Sequence, residues 1–336
     1  MKHWSIVALV TLVACGGTDE SWPVYELAGQ AMGTTYSIKL VAPDEKLDRD
    51  GLGTDIRNRI AAVENRMSTY IEDSELSRFN RARNLEWIPV SAELCALVER
   101  AIGIGERTGG AFDITVGPLV NLWGFGAEGS RIEPPAAALV RNTLERTGIG
   151  KLHADCRRPA LRKDRADLYL DLSGIAKGYA VDAVAALLDA RHLASFLVEI
   201  GGELRMHGYN GSGESWAIAV ERPAADTRSV QSIVHLTDAA MATSGDYRNF
   251  FEFEGRRYSH TINPHSGWPI SHEGAAVTVV GDSAAEADAL ATALLVLGPG
   301  DGLAFAAREG IAAYFLLRTE HGIEERSTGE FAALLN

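Results

Sequence analysis

Leu170-Asp171-Leu172-Ser173-Gly174-Ile175-Ala176-Lys177-Gly178-Tyr179 changes its periodicity midway. Up to Leu172, from Asp167, leucines fall at every second position, the pattern of a short strand. From about Ile175 to Arg191 apolar residues recur at helical spacing, so a strand is expected to run straight into a helix. That junction points to a mixed α and β fold. Its glycines let backbone groups approach a ligand, a helix start offers free N–H donors to phosphate, and Lys177 adds a positive charge. The same residues also suit a glycine-assisted turn with Lys177 in solvent.

Outward from this junction the mixture continues. Tyr36 to Val41 alternates as a strand, and Ile56, Ile60, Val63 and Met67 recur as a helix with Thr54 available as its cap. Leu94, Leu97, Val98, Ala101 and Ile102 form a second helical stripe after Ser91, closed by Gly109-Gly110. A glycine-rich aromatic segment follows from Phe112 to Gly129, and Pro134-Pro135 opens a helix to Arg146. Beyond the junction, strands are expected at Phe196 to Ile200, Trp216 to Val220, Ser229 to Leu236, Phe250 to Phe253, Ala275 to Val280 and Ala312 to Arg318. Gly201-Gly202-Glu203 reads as a tight turn, and Ser283 to Leu297 as a strong helix. No internal repeat is visible, and a boundary between residues 130 and 165 would divide the chain into two lobes of one fold or two units.

The 336 residues are 46% hydrophobic with 11 prolines, enough core for an enzyme and unlike a disordered chain. A formal charge of -13 disfavours nucleic acid as a partner. The three cysteines, at 15, 95 and 156, are too few and scattered to suggest a metal cluster or a disulfide framework. Cys95 belongs to an apolar helical stripe and is expected in the core, whereas Cys156 lies in a polar, basic segment and could be exposed. Residues 1–14, with Lys2 and His3 before an apolar stretch from Ile6 to Ala14, are too short for a permanent span. They resemble a bacterial lipoprotein signal that delivers Cys15 to lipidation. This resemblance implies a periplasmic protein tethered through residues 15–22, with the folded part at 23–336. No other apolar run is expected to reach spanning length.

Generic motifs supply little. Gly124-Phe125-Gly126-Ala127-Glu128-Gly129 satisfies a dinucleotide pattern but lacks a preceding strand and a following helix, and Ser244-Gly245-Asp246 lacks the frame of a hydrolase elbow. Asp288 and Thr292, four apart among small residues, share one helical face and form a candidate hard-cation corner. An aspartate at a solvent edge with threonine bonding back to its own helix fits that spacing as well. His260, at the end of an aromatic strand before Asn263-Pro264, is the best general-base candidate among nine histidines.

Longer matches join these fragments. Met32-Gly33-Thr34-Thr35-Tyr36, Met67-Ser68-Thr69-Tyr70, Ser74-Glu75-Leu76-Ser77-Arg78-Phe79-Asn80 and Gly110-Ala111-Phe112-Asp113-Ile114-Thr115 occur in that order. They are followed by the Leu170 to Tyr179 junction, Ala242-Thr243-Ser244-Gly245-Asp246-Tyr247, Tyr258-Ser259-His260 and Ala287-Asp288-Ala289-Leu290-Ala291-Thr292. The whole set resembles the ApbE family, the FAD:protein FMN transferases. The resemblance implies an α+β architecture with a T-fold-like core, FAD as FMN donor, Mg2+ at the pyrophosphate, and a threonine or serine of a partner protein as acceptor. It implies Asp288, Thr292 and the Ala176 carbonyl as metal ligands and His260 as the base. Flavin-nucleotide contacts would fall to Met32, Tyr70, Ala111, Phe112, Asp113, Ser173, Lys177, Tyr179 and Ile262. Ser173 stands where many members carry glycine, and Asn263 where aspartate commonly precedes proline. Acceptors at the periplasmic face of membrane redox complexes would suit a lipid anchor. The competing expectations are a Mg2+-dependent FAD pyrophosphatase, giving FMN and AMP, and a flavin-binding lipoprotein without turnover.

Overall fold

The computed structural model describes residues 21–42, 47–224 and 229–335. The leader and Cys15 lie outside the described residues.

Eight strands form the central sheet and hydrogen-bond in chain order, each antiparallel to the next. They are Val24–Ala31, Thr34–Val41, Phe196–Ile200, Glu203–His207, Ala240–Gly245, Gly274–Gly281, Ala312–Thr319 and Gly322–Ser327. Period-two alternation sorts their side chains onto two faces. Phe196, Val198, Ile200, Ala240, Ala242, Val277, Val279, Phe315 and Leu317 enter the larger core with the helices Arg49–Met67, Ala176–Ala190 and Ala284–Arg308. Leu197, Met241, Ala276, Tyr314 and Leu316 point the other way, under the ribbon Trp216–Glu221 with Val230–Leu236 and the short helix Gly329–Ala332. This mixed α/β arrangement bears out the expected fold class.

The expected strands after Phe196 are present with small shifts at their ends, but four expectations need correction. Residues 167–172 form no strand. The Asn80 side chain takes the Leu170 amide at 2.8 Å and its carbonyl at 2.9 Å, and the Ile114 carbonyl takes the Asp171 amide at 2.8 Å. A side-chain amide therefore stands where a neighbouring strand would. Thr54 is not a cap: Asp48 accepts from the Gly51 amide at 3.0 Å, and Thr54 bonds back to the Asp50 carbonyl inside the helix. The helix expected from Pro134 occupies only Ala137–Leu144. The last long helix runs on to Arg308 through a break at Gly298, whose φ of 80° no helix accommodates. That helix is also long and apolar enough to cross a membrane by length and composition, against expectation, yet most of it is buried against the sheet.

The cysteines overturn a further expectation. Cys95 and Cys156 form a disulfide with Cα atoms 5.6 Å apart, closing a sequence separation of 61 residues. Cys95 is buried, as expected, and Cys156 is half-buried. The bond ties the helix Ala92–Arg107 to the end of the hairpin Leu152–Asp155 with Ala160–Lys163. In that hairpin Lys163 is fully buried and donates to the Phe79 carbonyl at 3.2 Å and to those of Asn80 and Leu168 at 3.4 Å. Burial brings its ammonium down to about 8.

Two helices meet at the site because Gly178 lets them. A Cβ at Gly178 would lie 2.2 Å from the Ala284 carbonyl oxygen. Asp182 completes the junction, accepting from the amides of Ala284 and Ala285 at 3.0 Å and from the Ser283 hydroxyl at 2.7 Å. It thus satisfies free N–H groups at the start of the second helix from the side of the first.

Candidate active site

A cavity of about 420 Å³ opens where the start of the Ala176–Ala190 helix, the Ala240–Gly245 strand and the segment around His260 converge. Tyr70, Ala111, Phe112, Asp113, Ser173, Lys177, His260, Ile262, Asp288 and Thr292 all line it. Residues spread over more than two hundred positions of sequence are therefore brought together as the motifs implied.

One wall carries charge. Asp288 is 2% exposed, and its Oδ2 accepts the Gly178 amide at 3.1 Å. Thr292 shares a hydrogen bond of 2.9 Å with Ser244. Lys177 Nζ lies 3.1 Å from Glu203 Oε1 and 3.9 Å from Asp288 Oδ2. Lys177 is thus paired with buried carboxylates rather than left in solvent. Burial disfavours the Lys177 charge, but the carboxylates of Asp288 and Glu203 outweigh it and hold the ammonium above its ordinary range. Burial raises the carboxyls of both Asp288 and Glu203, against the opposing pull of Lys177.

His260 lines the same cavity. Its Nδ1 stands 3.0 Å from the Asn249 carbonyl oxygen, which can only accept, so the proton resides on Nδ1 and Nε2 keeps its lone pair. The His260 amide donates to the same carbonyl at 3.0 Å, fixing the strand end that carries the ring. Burial lowers the imidazole below its usual value, Asn249 and Asp246 pull the other way, and Lys177 adds to the lowering. The ring is consequently neutral at pH 7. Phe125 meets it edge-on, with centroids 6.3 Å apart.

Ser173 donates to Asp171 through both its amide, at 2.8 Å, and its hydroxyl, at 2.5 Å. Asp113 lines the cavity, but its carboxylate is engaged by the Thr115 amide and hydroxyl, each at 2.7 Å, and by the Ile149 amide at 3.0 Å. Its side chain therefore holds its own loop. Tyr70 is 68% exposed at the rim, its hydroxyl 3.4 Å from the Phe125 carbonyl.

Three implied residues do not line the cavity. Tyr179 lies two positions from Lys177 on the helix and so faces away, with its phenol beside the Arg59–Glu93 ion pair. Met32 occupies the turn between the first two strands with φ 52°, its amide donating to Glu64 at 2.6 Å. Ala176 is buried at the first helical position, adjacent to the Lys177 and Gly178 groups that meet Asp288.

Comparison with known proteins settles the family. The sequence pattern of the ApbE family matches residues 32–315. The chain belongs to the ApbE family. It is 42% identical over 336 residues, all of both chains, to the FAD:protein FMN transferase of Vibrio cholerae. A solved structure of the flavin transferase ApbE from Vibrio cholerae superposes with a TM-score of 0.86 at 42% identity, covering 93% of this chain and 100% of that one. The apo flavinyl transferase ApbE of Pseudomonas stutzeri gives 0.85 at 41% identity, covering 94% and 98%.

Within this ApbE chain, Glu203, Ser244 and Asn249 are among the cavity groups to which sequence reasoning gave no chemical role of their own. A signal for Glu203 was present. Gly201 and Gly202, at φ 65° and 103°, form a two-residue hairpin turn that pairs Glu203 directly with Ile200. A carboxylate opposite a buried isoleucine is a group with a task.

Proposed function

We propose that this chain transfers the FMN half of FAD to a threonine or serine hydroxyl of a partner protein and releases AMP. The observation that carries the reading is the placement of a neutral His260, with Nε2 free to accept, in one cavity with Lys177, Asp288 and Thr292. The family and its named transferase relatives support the same activity.

The acceptor hydroxyl gives its proton to His260 Nε2 as its oxygen bonds to the FMN-side phosphorus, and the bond from that phosphorus to the AMP oxygen breaks with its electron pair leaving on AMP. The Nδ1–H bond to Asn249 keeps the ring oriented and in the tautomer that can accept. Lys177 meets the phosphates through its positive charge. Phe112, Ile262 and Tyr70 offer apolar surface to the flavin.

The residues also fit a magnesium ion. Two buried carboxylates face one ammonium, and the remaining donors are hydroxyl and carbonyl oxygens, a hard set short of positive charge. Asp288, Thr292 and the Ala176 carbonyl would hold it. Bound there, the ion supplies charge neutralisation at the pyrophosphate.

The chain is further read as exported and anchored in the periplasm through lipid on Cys15, with its acceptors among membrane redox complexes. The leader supports export, and the Cys95–Cys156 disulfide adds support because such bonds persist in oxidising compartments.

The test mixes the chain with FAD, Mg2+ and a candidate acceptor. A mass gain of one FMN on the acceptor with stoichiometric AMP is expected. AMP without the mass gain would make the chain a pyrophosphatase, and FAD binding without turnover would make it a carrier.

A further inference from the structure

Glu203 is a buried carboxylate of the cavity that neither the proposed base chemistry nor the proposed cation site uses, and unlike Asp113 it is not engaged by its own loop. It opens the strand Glu203–His207 and is 3% exposed. Its Oε1 receives Lys177 Nζ at 3.1 Å, while Oε2 is buried with no hydrogen-bond partner among the described residues. The same ammonium stands 3.9 Å from Asp288 Oδ2, beyond hydrogen-bond reach. One cation therefore sits between two buried carboxylates and contacts the one without a ligand role.

The backbone is shaped for that choice. A Cβ at Gly201 would fall 3.2 Å from Lys177 Cδ and 2.8 Å from Thr34 Cγ2, so only glycine leaves the lysine stem room to lean towards Glu203. An ammonium in contact with Asp288 would neutralise it and fill a direction from which a metal ion must approach. In a medium of low polarity, that contact and a divalent cation exclude each other.

We propose that Glu203 is a positioning residue that draws Lys177 off Asp288 and so keeps the Asp288 carboxylate open to a divalent cation. The inference rests on the reading of Asp288 and Thr292 as cation ligands. Without Glu203, Lys177 falls back on Asp288 and competes with the ion.

Mn2+ binding to the purified, nucleotide-free chain, followed by electron paramagnetic resonance, tests this. Glu203→Gln, nearly isosteric, should weaken Mn2+ about tenfold, and Glu203→Asp, which keeps the charge, should recover most of the loss. Lys177→Met should then strengthen Mn2+ binding more in the Glu203→Gln background than in the otherwise unaltered chain, because only there does the ammonium occupy Asp288. Equal gains in both backgrounds, or a loss below twofold for Glu203→Gln, would overturn the proposal. If Glu203→Gln does not fold, Lys177→Met alone decides, since weaker Mn2+ binding by that variant contradicts a competing ammonium. Asp288→Asn separates the two layers: Mn2+ binding unchanged by it defeats the ligand reading itself, whereas binding lost there with additive Glu203 and Lys177 effects defeats only the role of Glu203.

Discussion

His260 shows how much one side chain depends on its setting. An exposed imidazole titrates near 6.5 and at neutral pH divides its population between two tautomers and a cation. Here the Asn249 carbonyl selects the tautomer and burial suppresses the cation. His260→Ala should therefore lower transfer by about 10²–10⁴-fold, the range for loss of a general base, while FAD affinity measured by flavin fluorescence changes little. Wild-type turnover in that variant would remove the base assignment. The same setting predicts the pH profile. Because the folded ring protonates below the ordinary histidine value, the acid limb of the transfer rate should lie below about 6.5. The linkage to stability has the same direction. The unfolded chain binds the proton first, so the contribution of this neutral histidine is complete above about 6.5 and is lost as pH falls from there through the lower folded value. An acid limb above 6.5 would contradict a burial-dominated shift. Asp288→Ala, in the same cavity, should raise the Mg2+ concentration required for half-maximal transfer by at least tenfold, and an unchanged titration would reject the carboxylate as a ligand.

Between elements, the decisive contact is the crossing of the helices Ala176–Ala190 and Ala284–Arg308. Gly178 must lack a side chain there, since its Cβ would meet backbone rather than a movable group. Gly178→Ala should destabilise the protein by about 1–3 kcal/mol in urea unfolding and also weaken metal dependence, because the Gly178 amide that orients Asp288 is displaced with the helix. A fully stable variant with normal Mg2+ titration would show that the crossing relaxes freely. The sequence made much of this level legible, and the successes share a cause. Ser91 and Ser283 cap the helices they precede, and the near-continuous apolar runs of Phe196 to Ile200 and Ala275 to Val280 are those of strands with both faces covered by side-chain layers. Such signals are local. What was missed depends on distant partners. Residues 167–172 carry a strand pattern, but Asn80 occupies their backbone groups, and that contact spans 90 positions. Val24–Ala31 is a strand at the edge of the sheet with alternate residues exposed and weak apolar content, so its pairing with Thr34–Val41, not its own pattern, defines it. Tyr179 falls outside the cavity lining for a different reason. A linear motif lists neighbours together, whereas a helix sends residues two apart to different faces.

At the scale of the whole molecule, a formal charge of -13 has to be reconciled with an anionic dinucleotide as substrate. The balance is local, because Lys177 and the proposed cation site face the cavity while most acidic groups face solvent, where salt screens them. The stretch that brings Asp171 to that cavity is tied to the rest of the fold by a covalent bond. From the Cys95–Cys156 bond the connection runs through the Ala160–Lys163 strand to the buried Lys163, then to the carbonyls of Phe79 and Asn80, and from the Asn80 side chain to Leu170 beside Asp171. Cross-linking over 61 residues restricts the unfolded chain, an effect on the order of 2–4 kcal/mol for such loops. Replacing both Cys95 and Cys156 with alanine should consequently lower stability by about that amount in denaturant titration. Below the melting transition, transfer should remain within about threefold of the parent, because neither sulfur touches the cavity and the Lys163 and Asn80 contacts do not need the bond once the fold has formed. The parent chain should lose the same stability when unfolded in the presence of a reductant, and the alanine variant should be indifferent to it. If reductant shifts both transitions equally, the disulfide does not account for the difference. If the variant keeps its stability but loses transfer, the bond acts on the geometry of the site rather than on the unfolded chain.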